Sequence, residues 1–493
     1  MTRDTRPCVV ILSRGARLAA MYREAAMGLA TDCRVVVLMY DETEHEVWRG
    51  TPGVEVIDLA ARMADAVATQ GSGLAHRAAQ IERATGLPMY KAASNYLLYR
   101  RFSKSYTGVW APFYDTEEHI MGEYVGAHEA LCEVFDALSP DLVVHEALDL
   151  VTTLVALALS RRRGIFTMGW MYAPGMPEGT IFFYHGLRRQ NFMATHLLAN
   201  RDRISHEKLS AARDLIARTR NAGPPVLTHV ENRRAQLRRP WWSSRNLYAY
   251  GAWRSPSRLV ERAANLRWLD RNLLREAPAG PFILFLMHLQ PEASTASQAP
   301  RWVDQERIVE QICINAPSGI RIVVKENPQC YGWRGRNYFG PLRELPNVDL
   351  CHPLVPTRPL IERAEALITI TGSAGLEALL LGKRVAVLGR PFYSEFPGVR
   401  HLDAPEQIFQ ELSDPNWAAS QDPDTIVPAI AAYLQSVHAM GDVEPPRKWP
   451  VPTVMGPRFG AAVRSTMDKI LQDGLRAAQF DPGYPFNEKA CVA

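Results

Sequence analysis

Short apolar runs alternate with segments of helical spacing along most of the chain. Residues 9–12 are apolar, a turn follows at residues 13–16, and apolar positions at helical spacing continue to Leu29. Arg34–Met39 and Val54–Asp58 have the pattern of two further strands. Runs that are apolar on both faces are typical of buried parallel strands. The N-terminal segment therefore predicts a β-α-β unit.

The same alternation returns twice. Strands are predicted at residues 141–145 and 165–168, with a helix at 150–162 between them. A second series predicts strands at 282–286, 321–324, 348–350, 366–370 and 385–388, with helices at 304–314, 359–364 and 374–381. An amphipathic helix is predicted at residues 460–478. Alternating strands and helices imply parallel strands with right-handed crossovers, so we predict an α/β fold.

This pattern divides the chain into four parts. We predict a Rossmann-like lobe at residues 1–200, a helical bridging region at 201–278 and a second Rossmann-like lobe at 279–440. Residues 441–493 are predicted to be a tail whose helix packs back on the first lobe. The bridging region mixes arginines with tryptophans and tyrosines. It could pair with carboxylates or lie on an anionic lipid surface.

Composition narrows the class of protein. The 493 residues are 47% apolar and 22% charged, as in a typical globular protein. A net charge of +4 is too small to indicate nucleic-acid binding. The seven cysteines show no Cys-x-x-Cys spacing, which favours a reduced, cytoplasmic location. Because no uninterrupted apolar run is long enough to span a bilayer, any membrane contact is expected to be peripheral.

Polar residues follow three strands of the second lobe, where open α/β sheets bind ligands. After the first strand, Gln290 and Glu292 are candidates to contact sugar hydroxyls or the reacting centre. After the second, Lys325 can neutralise a phosphate and Asn327 can donate a hydrogen bond. An ordinary polar loop is the alternative at both places.

The third segment lies before a predicted helix and consists of Thr371, Gly372, Ser373, Ala374 and Gly375. Small residues let a ligand approach the backbone, and the first turn of a helix favours an anion such as a phosphate. Glu377 could accept hydrogen bonds from a ribose, or it could only complement the helix end. The segment matches neither Gly-x-Gly-x-x-Gly nor a P-loop, which disfavours nicotinamide and ATP chemistry.

The first lobe has polar residues at equivalent strand ends. Arg14 and Gly15 follow its first strand, and His145, Glu146 and Asp149 follow a later one. Glu146 or Asp149 could act as a general base on an acceptor hydroxyl. For Asp149 we favour the alternative, a cap on the helix that starts at residue 150.

Residues 282–399 resemble the capsule polysaccharide biosynthesis glycosyltransferases of bacteria, a group that includes the Kdo transferases. The matching segments are residues 288–295, 304–305, 323–328, 345–348, 368–379, 382–389 and 391–393. The resemblance implies a GT-B fold, in which two Rossmann-like lobes flank a cleft. It also implies that the C-terminal lobe holds a nucleotide-sugar donor, that the N-terminal lobe receives the acceptor, and that neither a metal nor a cofactor is needed.

By position, Gln290, Pro291 and Glu292 match the family's Gln-Pro-Glu motif. Lys325, Asn327 and Pro328 fall where the Kdo transferases have a His-Pro motif. Because Asn327 takes the place of that histidine, the donor is left undecided between a CMP-sugar and a UDP-sugar.

We therefore predict a glycosyltransferase that acts on a polysaccharide or glycolipid acceptor in surface polysaccharide biosynthesis. Glu292 and Glu146 are the catalytic candidates. The expected location is the cytoplasm, with a peripheral contact to the inner membrane. Two alternatives stay open: a nucleotide-sugar 2-epimerase, and a non-catalytic export or scaffold component.

Overall fold

The structure is a computed structural model. It describes residues 5–69, 73–102, 116–146, 148–177, 179–221, 256–290, 292–332, 334–419, 422–441 and 455–475. Residues 222–255, which contain most of the basic and aromatic positions of the predicted bridging region, lie outside this set, as does Pro291. The helices flanking that gap are His206–Asn221 and Pro256–Asn272.

The strands follow the predicted series closely. In chain order they are β1 Cys8–Leu12, β2 Arg34–Met39, β3 Val54–Asp58, β4 Leu142–His145, β5 Phe166–Tyr172, β6 Thr180–Tyr184, β7 Phe282–Leu286, β8 Arg321–Lys325, β9 Val348–Cys351, β10 Ala366–Thr369, β11 Arg384–Val387, β12 Val399–His401 and β13 Val437–Ala439. They form one sheet in the order β13-β6-β5-β4-β1-β2-β3 and another in the order β12-β11-β10-β7-β8-β9.

The described part of the chain also contains helices of very different length. The remaining ones are Gly15–Leu29, His45–Trp48, Leu59–Thr69, Leu74–Thr85, Met89–Ala92, Ser94–Phe102, Glu117–Leu138, Val151–Arg163, Phe192–Ala199, Ala293–Ala296, Gln305–Asn315, Arg336–Arg343, Thr357–Arg363, Ala374–Leu380, Ile408–Leu412, Pro415–Ala419, Pro423–Ser436 and Gly456–Gln472.

The chain forms two compact units. Unit 1 draws on residues 1–94, 114–196 and 436–493, and unit 2 on residues 95–113 and 197–435. Each unit holds one of the two sheets together with its own hydrophobic core. Two separate Rossmann-like units of this kind confirm the predicted α/β, GT-B-type fold class.

The sheet of unit 1 is parallel from β3 to β5, but β6 pairs antiparallel with β5, and β13 pairs antiparallel with β6. The sequence pattern predicted only parallel strands and missed both. Only residues 173–179 connect β5 to β6. A parallel crossover needs a dozen residues or more, so a connection of this length can only return antiparallel.

Helices cover both faces of this sheet. On one face, Tyr22 of helix Gly15–Leu29 meets Phe459 of helix Gly456–Gln472, with ring centroids 5.8 Å apart. Glycines on the second helix allow this approach, because a Cβ at Gly460 would lie 2.8 Å from the carbonyl oxygen of Ala25. On the other face lies helix Val151–Arg163, whose first ten residues are all buried. A helix surrounded by protein in this way is apolar all round rather than amphipathic.

The sheet of unit 2 is parallel throughout its six strands. Strands β7, β8 and β10 are almost wholly buried and were predicted to within one residue at each end. The edge strand β12 has only three residues, all partly exposed, and its sequence carries no hydrophobic pattern that predicts it. In the described part of the chain, no helix combines the length and apolar character needed to cross a bilayer.

Candidate functional site

The strand order of unit 2 reverses between β7 and β10. From β7 the chain builds outward through β8 and β9, and it then continues on the other side with β10, β11 and β12. Open α/β sheets bind ligands at such a reversal, beyond the carboxyl ends of the strands. The three segments singled out in the sequence follow β7, β8 and β10, which are adjacent strands. The structure therefore brings these segments to one edge of one sheet.

The segment after β10 is held by side chains from elsewhere in unit 2. The backbone N–H of Thr371 donates to Nε2 of His288 at 3.0 Å, and the N–H of Gly372 donates to Oγ1 of Thr369 at 3.2 Å. The hydroxyl of Tyr393 donates to the carbonyl oxygen of Gly372. These hydrogen bonds fix the backbone of the segment after β10 before any ligand binds.

Two backbone donors of this segment remain available. Within the described residues, no hydrogen bond engages the N–H groups of Ser373 and Ala374. Ser373 is exposed, and its side chain does not cap the helix that follows. Gly375 must be glycine, because a Cβ there would lie 2.1 Å from the hydroxyl oxygen of Tyr393. Adjacent free N–H groups of this kind can bind an anion.

Gln290, after β7, is buried with 4% of its surface exposed. Its Nε2 donates to the carbonyl oxygen of Val303 at 2.6 Å, which fixes the orientation of the amide. Its Oε1 is buried and accepts no hydrogen bond from any described residue. Glu292 is exposed, and its Oε2 accepts a hydrogen bond of 2.6 Å from Oγ of Ser294. Of this pair, Gln290 offers a fixed acceptor and Glu292 an exposed carboxylate.

Lys325, at the end of β8, is 2% exposed. Its Nζ donates to the carbonyl oxygens of Pro353 at 3.0 Å and of Glu326 at 3.4 Å. Burial lowers the pKa of this amine to about 8. The backbone N–H of Asn327 donates to Oε1 of Glu326 at 2.6 Å. To contact a phosphate, the Lys325 ammonium would have to exchange its carbonyl partners for the ligand.

Glu377 lies on helix Ala374–Leu380, within the turn that follows Ser373. It is partly exposed. Burial raises the pKa of its carboxyl group, while the guanidinium of Arg358 opposes that rise. Arg358 itself is held by Glu362, whose Oε1 accepts from its Nε at 2.7 Å.

No sequence pattern marks Arg334, which connects two of these segments. Its Nη2 donates to the carbonyl oxygen of His288 at 2.9 Å, and its Nη1 lies 3.3 Å from Oε2 of Glu326. Arg334 lies in an irregular stretch between two helices, where neither periodicity nor a motif distinguishes one arginine from another. Tyr393 had a usable signal, because it stands in a segment that matches the family resemblance.

Unit 1 has its own reversal of strand order, between β1 and β4. Arg14, after β1, makes two hydrogen bonds to the carboxylate of Asp149, at 2.7 and 3.1 Å. The expectation that Asp149 caps the following helix is wrong: Leu150 takes the cap position, and its side chain makes no capping hydrogen bond. The carboxylate of Asp149 is oriented toward Arg14 by this bidentate pairing instead.

Glu146 lies beside this pair, with its carboxylate 3.8 Å from Arg14 and its side chain 24% exposed. Burial raises the pKa of Glu146, and the charge of Arg14 opposes that rise. The hydroxyl of Tyr184 donates to the carbonyl oxygen of Glu146 at 2.8 Å. Glu146 is thus a partly accessible carboxylate on a backbone that is held in place.

Two further candidates of unit 1 are positioned mainly by packing. His145 is 1% exposed, and burial lowers its pKa to about 3, so the ring is neutral. Gly15 has a φ of +69°, and its N–H donates to Oε1 of Glu44 at 3.0 Å. Glycine is favoured there because this left-handed conformation costs other residues energy.

Among the described residues, no group of three or more His, Cys, Asp or Glu side chains is placed to hold a metal ion. The chemistry on offer is instead a pair of backbone donors, a fixed amide, a buried lysine and several carboxylates. Two Rossmann-like units, each with polar residues at its reversal of strand order, define a protein of the GT-B fold class.

The particular family follows from the sequence of unit 2. Residues 247–437 match the family described as "Capsule polysaccharide biosynthesis protein". This match over part of the chain confirms the predicted resemblance. A comparison with curated proteins gives no match.

Several solved structures are similar to this chain. Thermosulfurimonas dismutans KpsC, beta Kdo 2,7 transferase, is 11% identical and covers 68% of this chain and 89% of its own, with a TM-score of 0.38. The beta Kdo 2,4 transferase of the same KpsC is 14% identical, with 65% and 87% covered and a TM-score of 0.33. The UDP-GlcNAc 2-epimerase from Neisseria meningitidis is 12% identical, with 87% and 99% covered and a TM-score of 0.25.

Proposed function

We propose that this protein is a glycosyltransferase of capsule polysaccharide biosynthesis, which moves a sugar from a nucleotide-sugar donor to a polysaccharide or glycolipid acceptor. The observation that carries the proposal is the meeting of three predicted segments beyond the adjacent strands β7, β8 and β10. The match of residues 247–437 to the capsule polysaccharide biosynthesis family supports the pathway.

The donor would bind to unit 2 through its phosphates. The free N–H groups of Ser373 and Ala374 supply two donors on a backbone already fixed by His288 and Tyr393. Lys325 would add a positive charge once it releases its carbonyl partners. These groups would stabilise the charge that develops on the departing phosphate, without the need for a metal ion.

The sugar and ribose would meet polar side chains on either side of the phosphates. Gln290 offers an oriented, unoccupied Oε1 that can accept a hydrogen bond from a hydroxyl. Asn327 can donate a further hydrogen bond from the end of β8. Glu377 remains the candidate for the ribose hydroxyls, one turn beyond the anion-binding amides.

The acceptor would be activated by a carboxylate. Glu146 suits a general base, because it is partly exposed and its raised pKa strengthens its affinity for a proton. Arg14, Gly15, His145 and Asp149 would shape the surrounding acceptor site. Glu292 is the alternative catalytic carboxylate, and its exposure leaves it free to reorient.

Transfer would join an acceptor bound by the N-terminal lobe to a sugar bound by the C-terminal lobe, as the GT-B resemblance implies. Holding the acceptor hydroxyl against the anomeric carbon removes much of the entropic barrier. We also propose a cytoplasmic location with a peripheral contact to the inner membrane. The membrane contact rests on the basic and aromatic sequence of residues 233–258.

A thermal-shift panel with CMP, UDP, GDP and dTDP tests the proposal. A nucleotide that binds only the folded state raises its melting temperature by mass action. We expect one nucleotide, CMP or UDP, to raise the melting temperature well above the others. No shift with any of the four would contradict a donor site and would favour a non-catalytic role.

Incubation with the nucleotide sugar alone then distinguishes transfer from epimerisation. A transferase requires an acceptor, so the sugar is expected to keep its configuration and to leave the nucleotide only when acceptor polysaccharide or glycolipid is added. Formation of an epimer without any acceptor would instead identify a 2-epimerase.

A further inference from the structure

A buried guanidinium joins the segments that follow β7 and β8. Nη2 of Arg334 donates to the carbonyl oxygen of His288, and its Nη1 pairs with Glu326 at 3.3 Å. The side chains of this ion pair are only 10% and 1% exposed. The guanidinium also lies over the ring of Tyr338, 4.9 Å from its centroid. Arg334 is therefore held on three sides in a single orientation.

His288 passes this constraint to the segment after β10. Its backbone N–H donates to Oε1 of Gln305 at 2.7 Å, and its carbonyl oxygen accepts from Nε2 of Gln305 at 3.2 Å. Its ring Nε2 accepts the backbone N–H of Thr371 at 3.0 Å. A continuous set of hydrogen bonds thus runs from Glu326 through Arg334 and His288 to Thr371, across the reversal of strand order.

This arrangement is not explained by stability alone. Removing an ion pair from water costs about as much as the pair returns, so apolar residues of similar volume could fill the same space. What apolar residues could not do is fix the distance between three loops. Charged hydrogen bonds with defined geometry have that property.

We propose that Arg334 is a positioning residue: acting through His288, it fixes Thr371 and so aims the free N–H groups of Ser373 and Ala374 at the donor phosphates. This inference rests on the proposed function. Arg334 has no contact with the ligand in this account. Its effect is on where the anion-binding backbone lies.

The protonation state of His288 provides an independent readout. A backbone N–H can only donate, so Nε2 must accept and the ring hydrogen lies on Nδ1. Burial, and secondly the charge of Arg334, lower the pKa of His288 to about 4. Arg334 is the charged group that faces the ring, and Glu326 faces Arg334 in turn. Protonation of Nε2 would break the bond to Thr371.

The test compares Arg334→Met with Arg334→Lys and with Arg336→Met, a change at a nearby exposed position. CMP, UDP, GDP and dTDP are each titrated calorimetrically between pH 3.5 and 8. Arg334→Met is expected to weaken nucleotide binding roughly ten- to hundredfold, the effect of losing a charged hydrogen bond. It should also move the acid limb of binding to higher pH, because His288 loses a neighbouring positive charge. Lysine should restore binding only in part, and Arg336→Met should match the wild type.

His288→Gln and His288→Phe test the same link without touching Arg334. Glutamine can still accept the Thr371 N–H and does not titrate, so we expect near-normal affinity and no acid limb. Phenylalanine cannot accept, so we expect weak binding at every pH. If near-ultraviolet circular dichroism shows that Arg334→Met does not fold, the comparison of the two His288 variants tests the inference by itself.

Two results would overturn the inference: wild-type affinity and pH profile in folded Arg334→Met, or equal affinity in the two His288 variants. Failure of the proposed function looks different, because the wild type itself would then bind none of the four nucleotides.

Discussion

In unit 2, the sequence predicted which residues are candidates for the site, but it did not predict the contacts that they make. The sequence identified Gln290, Lys325 and Ser373 because each follows a buried apolar run. It could not show that no described residue engages the backbone N–H of Ser373, or that the Ser373 side chain does not cap the following helix. Nor could it show that Lys325 is almost fully buried. Such details depend on residues distant in sequence, as with Arg334, which no local pattern marks.

Lys325 yields a prediction about stability. Its pKa is about 8 in the folded protein, lowered by burial, against about 10.5 in the unfolded chain. Between these values the unfolded state binds more protons, so the free energy of unfolding rises with pH. Burying the ammonium costs roughly 3 kcal/mol below pH 8, and this cost disappears as pH rises to about 10.5. Measured by urea denaturation, the free energy of unfolding of the wild type should therefore rise by roughly 3 kcal/mol relative to that of Lys325→Met between pH 7.5 and pH 10.5.

The exposed change Lys469→Met serves as the control and should leave this pH dependence unchanged. A constant difference between wild type and Lys325→Met across the same pH range would show that the lysine does not titrate as its burial implies.

At the scale of elements, buried strands were the best predicted feature. Strands β2, β3 and β7 have the predicted bounds, because apolar runs set between polar turns define them in the sequence. Strands β6, β12 and β13 were missed. Two of these are edge strands of only three residues, and their pairing depends on tertiary contacts rather than on a run of apolar residues.

The packing of β5 against its neighbours gives a second prediction. A Cβ at Gly169 would lie 2.2 Å from the Tyr184 ring and 2.7 Å from His145. Gly169→Ala should therefore lower the free energy of unfolding by roughly 1–3 kcal/mol, the usual cost of overpacking. Chemical denaturation with a near-ultraviolet signal measures it.

Gly122→Ala is the matched change, because a Cβ at that helical position meets nothing within 4 Å. It is expected to be neutral or to stabilise by up to about 1 kcal/mol, since alanine favours helix over glycine. Equal behaviour of the two variants would mean that Gly169 is not required by packing.

At the scale of the whole molecule, two α/β units of the predicted class are present, and each has polar residues at its reversal of strand order. The alternation of strands and helices was enough to predict this. The prediction that the C-terminal lobe binds a nucleotide sugar came only from the family resemblance. Unit 1 also contains helix Gly456–Gln472, which closes one face of a sheet built mainly from the N-terminal part of the chain.

Buried histidines make the whole protein sensitive to acid. Burial lowers the pKa of His145 to about 3 and that of His288 to about 4. The unfolded chain takes up these protons near pH 6.5, so their contribution to stability is lost as pH falls below that value. Each of these two histidines should therefore lower the free energy of unfolding by about 2 kcal/mol at pH 5 relative to pH 8.

His145→Phe isolates one of these contributions. It keeps a ring of similar shape and should reduce the fall in unfolding free energy between pH 8 and pH 5 by about 2 kcal/mol. Carboxyl groups whose pKa is raised, such as that of Glu146, act in the opposite direction but are common to both proteins. An unchanged pH dependence in the variant would refute the role given to His145.

The central claim is that free backbone N–H groups after β10 hold the phosphates of a nucleotide sugar. Ser373 has a φ of −64°, which proline also adopts, so Ser373→Pro deletes one donor at a compatible φ, and Ser373→Ala keeps it. Calorimetric titration of both variants and the wild type with CMP and UDP measures the difference. We predict that wild type and Ser373→Ala bind one nucleotide alike, whereas Ser373→Pro binds it roughly ten- to hundredfold more weakly. Equal affinity of all three proteins would contradict the assignment.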